Sequence, residues 1–179
     1  MKWNYVFLSV ILFSTAVSTE AQSLWKIESG KIQFKSESKL ETIYGEGETV
    51  SGFLDPKTKQ IQVIIDLKDF STDNRLQTSH LQDNYLETHI HPKAIYIGEV
   101  KEVKETGEVT ALGSLELHGV KREKVSLTGT VAGSSGRIEL QSLFEIRLED
   151  YKIEVPKMLF YKISPEIKVR AKIIFKKEG

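Results

Sequence analysis

The chain has 179 residues and carries 25 Lys and Arg against 25 Asp and Glu, a formal charge of zero at neutral pH. That balance argues against a nucleic-acid partner, which needs a basic surface. With no cysteine there are no disulfides and no thiolate chemistry, so the hydrophobic core alone must hold the fold.

The first 21 residues read as an export signal. Lys2 supplies the positive start, Val6 to Val17 an apolar run of 12 residues, and Thr19-Glu20-Ala21 small residues for a peptidase, with cleavage expected after Ala21. Twelve residues fall short of the roughly 20 that a spanning helix needs. No cysteine follows, which excludes a lipid-modified lipoprotein. No other apolar run is long enough to span, so the mature chain is expected to be periplasmic or secreted. Removing residues 1–21 leaves 158, which we read as one domain, 22–179.

The dominant period of that domain is two. Ile32 and Phe34 belong to a first strand, and Val50, Gly52 and Leu54 to another. Ile61, Val63, Ile65 and Leu67 alternate with more polar neighbours, the pattern of a half-buried strand. The segment from Ser71 to Leu86 departs from it. Leu76, His80, Leu81, Tyr85 and Leu86 recur at helical spacing behind the candidate caps Ser71, Thr72, Asp73 and Asn74, and Pro92 forbids continuation. A helix over about 74–87 follows, then a strand opened by Pro92. Alternation resumes through Gly113-Leu115-Leu117, Val125-Leu127-Gly129-Val131, Ile138 to Ile146 and Ile167 to Phe175. Asp55-Pro56, Glu105-Thr106-Gly107 and Gly133 to Gly136 mark turns. A second short helix is expected near 156–160. About eight short strands make the domain all-β, a sandwich or a barrel.

Three local patterns stand out: Asp73-Asn74 followed by His80-Leu81, Tyr85-Leu86 and Pro92-x-Ala94-x-Tyr96; Gly113-x-Leu115-x-Leu117-His118-Gly119-Val120; and Ile146 followed by Asp150-Tyr151-x-Ile153. In this order and at these separations the chain resembles the YceI-like family over about residues 23–176. The resemblance implies an extended eight-stranded antiparallel barrel similar to lipocalins. It also implies an interior tunnel for the tail of an isoprenoid quinone or polyprenyl lipid. The chain departs from the family pattern at Gln77-Thr78, where Arg-Asp is usual, and at Lys121 to Lys124, where the turn reads one residue longer and lacks proline. Arg147 and Lys152 stand where Asn and Gly are usual. These departures fall on polar and turn positions and leave the apolar faces intact.

The expected lining of the lipid tail is Val63, Ile65, Phe70, Leu81, Tyr85, Tyr96, Leu115, Leu117, Leu127, Phe144 and Val169. Asn74, Arg75 and His80 are headgroup candidates, although Asn74 equally reads as a helix cap and His80 as part of the helix's inner face. No nucleophile elbow, metalloprotease helix or phosphate-binding glycine loop occurs, so no catalytic residue is expected. His89 and His91 would share one side of a strand, but zinc wants more ligands than that pair supplies, and only His80 and the distant His118 could add imidazole. No metal and no cofactor are expected. His118 reads as a turn-stabilising residue. The function expected is binding of an amphiphilic lipid by a monomer or homodimer. The alternative is a filled barrel that acts through its surface, with the Lys-rich strand 168–176 and Lys121 to Lys124 as contact regions.

Overall fold

The computed structural model describes residues 24–134, 136–155 and 163–178. The expected signal residues 1–21 and the second helix near 156–160 lie outside them. Ten strands form one antiparallel sheet: β1 (Trp25–Glu37), β2 (Thr42–Gly47), β3 (Val50–Leu54), β4 (Gln60–Asp66), β5 (Ser71–Thr72), β6 (Lys93–Val100), β7 (Gly107–Leu117), β8 (Val120–Ser134), β9 (Arg137–Arg147) and β10 (Glu166–Lys177). Pairing of β10 with β1, from Lys177 opposite Trp25 to Ile167 opposite Ser36, closes the sheet on itself. The result is a closed eight-stranded barrel.

Ten strands make eight staves because two pairs are interrupted strands. β2 and β3 share one register on β1, with Gly47 opposite Ile32 and Leu54 opposite Trp25. The break falls at Glu48-Thr49. Their N–H groups donate to the Asp69 carboxylate at 2.6 and 2.8 Å. β4 likewise continues into β5 through a 3-10 turn at Leu67–Asp69, whose start is capped by Asp66 accepting from Lys68 N at 2.9 Å. β5 then pairs with β2.

β2 escapes the alternation pattern because its inner positions are glycines. A Cβ on Gly45 would sit 2.3 Å from the Phe34 ring, and one on Gly47 would sit 2.6 Å from the Phe70 ring. The two rings stack with centroids 6.2 Å apart, so aromatic side chains from neighbouring segments fill the space that β2 leaves.

The expected helix is present over residues 75–85 but is differently phased than its sequence implies. α1 (Arg75–His80) is capped by Asn74, whose Oδ1 accepts from Leu76 N and Gln77 N at 2.9 and 3.2 Å. It runs directly into a π turn at Leu81–Tyr85, where Leu86 N donates to Leu81 O. One extra residue in the turn rotates what precedes it away from the barrel. Leu81, Tyr85 and Leu86 therefore pack on the core, whereas Leu76 is 67% exposed and His80 is exposed.

The turn expected at Lys121–Lys124 is also corrected. The hairpin between β7 and β8 turns on His118-Gly119, with Leu117 opposite Val120. His118 and Gly119 have φ of 52° and 70°, the type I′ geometry that matches strand twist. Lys121 to Lys124 belong to β8. The additional residue there is absorbed by a bulge on β8, where Glu123 and Lys124 together oppose Ser114 of β7 and Lys124 has φ 60°.

Candidate ligand-binding interior

Strand registers divide the barrel into two ends. At one end lie Trp25, Leu54, Ile61, Val100, Ala111, Val131, Ile138 and Phe175, none more than 8% exposed. This half is a filled core. Toward the other end, on which α1 packs, the seal is uneven. Val63, Ala94, Tyr96, Leu115, Leu117 and Val169, on β4, β6, β7 and β10, remain buried. On β8 and β9, by contrast, Val125, Leu127, Phe144 and Ile146 point inward yet keep part of their surface open.

The backbone explains the contrast. The ladder between β8 and β9 runs from Ser134 opposite Arg137 only as far as Gly129 opposite Ser142. β8 continues to Val120 and β9 to Arg147, but no ladder joins them there. The Ser142 hydroxyl donates to Thr128 O at 2.7 Å and closes the last step. Beyond it the two strands part, and the half-open apolar residues flank the gap. The short 3-10 turn Leu148–Tyr151 at the end of β9 is fastened back onto the β7–β8 hairpin by Arg122 to Asp150 at 3.2 Å.

The eleven residues expected to line a lipid tail lie in the apolar cluster or pack against it. Val63, Phe70, Tyr96, Leu115, Leu117 and Val169 are fully buried, and Ile65, Leu81, Tyr85, Leu127 and Phe144 are partly buried. Tyr96 carries a polar group into this interior. Its hydroxyl donates to Val125 O at 3.3 Å, and burial pushes its pKa up to about 12. Among the described residues no buried side-chain polar atom lacks a partner. The small residues Gly98 and Gly113 face each other across β6 and β7, and a Cβ on Gly113 would sit 2.4 Å from Gly98 Cα. They serve close backbone approach.

The headgroup candidates behave differently. Asn74 spends its side-chain oxygen on the helix cap, Arg75 is exposed, and His80 Nδ1 accepts from Asn84 Nδ2 at 2.8 Å on the exposed side. The structure does not bring the three together over the apolar interior.

Histidines at the end of the helix depart most from expectation. Residues 88–90 form a turn, so His89 and His91 do not share a strand face. His89 is exposed, whereas His91 packs beside His118 with ring centroids 5.0 Å apart. His118 stands in the β7–β8 turn, and its Nδ1 lies 3.1 Å from Tyr151 O of the 3-10 turn after β9. It also contacts Glu87 at 2.7 Å, a pairing that sequence spacing did not signal.

A family model described as the YceI-like domain matches residues 25–175. The chain belongs to the YceI-like family. Solved structures share the fold at low identity. A polyisoprenoid binding domain from Saccharophagus degradans, implicated in plant cell wall breakdown, superposes with a TM-score of 0.72 at 19% identity, covering 86% of this chain and 98% of that one. BcnA of Burkholderia cenocepacia gives 0.68 at 14% identity, covering 81% and 95%. The YCEI protein of Campylobacter jejuni gives 0.61 at 18%, covering 75% and 84%. A search of curated proteins found no match. Among the described residues, no helix of this YceI-like chain is long and apolar enough to cross a membrane.

Proposed function

We propose that this YceI-like protein binds a long-chain isoprenoid, such as a quinone or polyprenyl lipid, by its tail in the unsealed half of the barrel. The observation that carries this reading is the run of inward apolar residues at the β8–β9 gap, Val125, Leu127, Phe144 and Ile146, that the protein's own core leaves partly uncovered. Covering apolar surface is worth about 25 cal/mol per Å², so several hundred Å² of prenyl chain gains on the order of 10 kcal/mol before ordering costs. No bond need be made or broken, and the function is binding rather than catalysis. The neighbour described as a polyisoprenoid binding domain supports the same ligand class. The headgroup stays toward water at the helix-bearing end, where Arg75 and His80 are among the exposed polar side chains. Residues 1–21 act as a cleaved export signal, and the mature chain works in the periplasm.

The test is mass spectrometry of an organic extract from protein purified without detergent from its native compartment. A stoichiometric polyprenyl or quinone species supports the proposal. A folded protein with an empty extract would move the function to the barrel's surface.

A further inference from the structure

Three segments meet beside the β7–β8 hairpin. Glu87 ends the helical region at φ 45°, and the turn that follows is held by Ile90 N and His91 N, both donating to Glu87 O at 2.8 Å. This turn swings the His91 ring over Gly119, where a Cβ would lie 2.6 Å from the ring. The type I′ hairpin presents His118 to the same spot. Glu87, His91 and His118 are all partly buried, and each offers one ligand atom within 4.8 Å of the others.

Hydrogen-bond chemistry constrains His118. A backbone carbonyl only accepts, so the contact with Tyr151 O at 3.1 Å makes Nδ1 the donor. In the neutral ring Nε2 then carries a lone pair, and it faces the Glu87 carboxylate at 2.7 Å. Two acceptors hold such a contact only with a cation between them. A proton would satisfy the pair by itself and gives no use to a third ligand. His91, brought to within 5.0 Å of His118 ring to ring by a separate turn, is that third ligand.

We propose that Glu87, His91 and His118 bind a divalent transition-metal ion of the zinc type. Two imidazoles and a carboxylate form a known zinc set, with water in the fourth position. The Nδ1–H bond to Tyr151 O is the outer-shell contact that fixes the ring and aims Nε2 at the metal. At zinc–ligand distances of about 2.0–2.1 Å, tetrahedral ligand atoms sit roughly 3.3 Å apart, so the Glu87–His118 contact opens by about half an ångström on binding. The ion displaces the proton between them and clips the end of the helical cap to the β7–β8 hairpin. This site lies outside the apolar interior and stands independently of the lipid proposal.

The probe is zinc alone, presented to chelator-stripped exported protein by equilibrium dialysis, with bound metal counted by mass spectrometry and thermal melting followed in parallel. One zinc per chain and a raised melting temperature are expected. Glu87→Gln and His91→Ala should each weaken zinc binding by more than the ~10–100-fold typical of losing an outer-shell partner, while His89→Ala binds as the parent does. Cobalt substituted for zinc should show the intense visible bands of a tetrahedral site, lost in His91→Ala. The proposal is overturned if the folded parent retains no stoichiometric zinc. It is equally overturned if His91→Ala, shown folded by its circular dichroism, binds zinc as tightly as the parent.

Discussion

Leu127 and Val131 sit on the same inner face of β8, four residues apart, yet Val131 is sealed at 6% exposure and Leu127 is only half-covered. The last laddered pair on β8, Gly129 with Ser142, lies between them. Where the β8–β9 ladder holds, Val131 is sealed. Where it ends, the same alternation of apolar residues borders a gap.

This difference predicts opposite outcomes for one substitution. Val131→Arg buries an unpaired charge and should destabilise the fold by more than about 3 kcal/mol. Leu127→Arg can turn its charge toward the gap, keep a cooperative melt and lose the lipid. Thermal unfolding paired with extraction and mass spectrometry reads both. A folded Leu127→Arg protein that still carries its full lipid complement would place the tail elsewhere.

Lys152 ends the turn after β9 at φ 55°, a left-handed conformation that costs a residue with a Cβ about 1 kcal/mol or more. Glycine is usual here in the family, and the geometry shows why. Lys152→Gly should stabilise the protein by about 0.5–1 kcal/mol after the entropy glycine gains when unfolded, raising the melting temperature by roughly 1–4 °C. Calorimetry that shows a loss of stability would contradict this account.

Asp69 holds the interrupted stave together. Its backbone bonds from Glu48 N, then Thr49 N, lower its pKa below the ordinary aspartate value. Since the unfolded chain binds the proton more readily, the contribution is complete above the ordinary value and is lost as pH falls through the lowered one. Asp69→Asn should cost about 1 kcal/mol near neutral pH, the low end for charge-assisted bonds because the carboxylate is exposed. Its acid unfolding curve should be flatter than the parent's. Matching curves for the two proteins would remove Asp69 from the account.

Tyr96 makes a complementary prediction at high pH. Burial raises its pKa to about 12, so the unfolded chain gives up that proton first and stability should fall as pH rises from about 10 toward 12. Tyr96→Phe should lessen that fall and, by removing the bond to Val125 O, cost roughly 0.5–1.5 kcal/mol at neutral pH. Spectrophotometric tyrosine titration of the two proteins checks both points. If the parent shows no late-titrating tyrosine that Tyr96→Phe removes, the hydroxyl is not sealed as described.

The local alphabet of this barrel was legible in the chain. Alternation at Ile61–Leu67, Gly113–Leu117 and Ile167–Phe175 announced strands because side chains on a strand change face at every residue. For the same reason Val63, Ile65, Tyr96, Leu115, Leu117, Leu127, Phe144 and Val169 lie in or against the apolar cluster. The helix cap at Asn74 was also readable, since capping joins a side chain to backbone two or three residues away. Leu76 was misplaced because periodicity assumes an unbroken helix, and the π turn at Leu81–Tyr85 shifts the phase.

The sequence by itself determined an all-β domain, its apolar faces and its family, because those depend on residue type and near neighbours. Only the tertiary structure decided where the interior stays open and which distant groups meet. The β8–β9 ladder ends at Gly129 and Ser142 through the path of two whole strands, and glycines in β2 become core because Phe34 and Phe70 arrive from elsewhere. Glu87, His91 and His118 converge across a closed β7–β8 hairpin and a turn. Such meetings are fixed by backbone geometry summed over many residues, and no spacing along the chain encodes them.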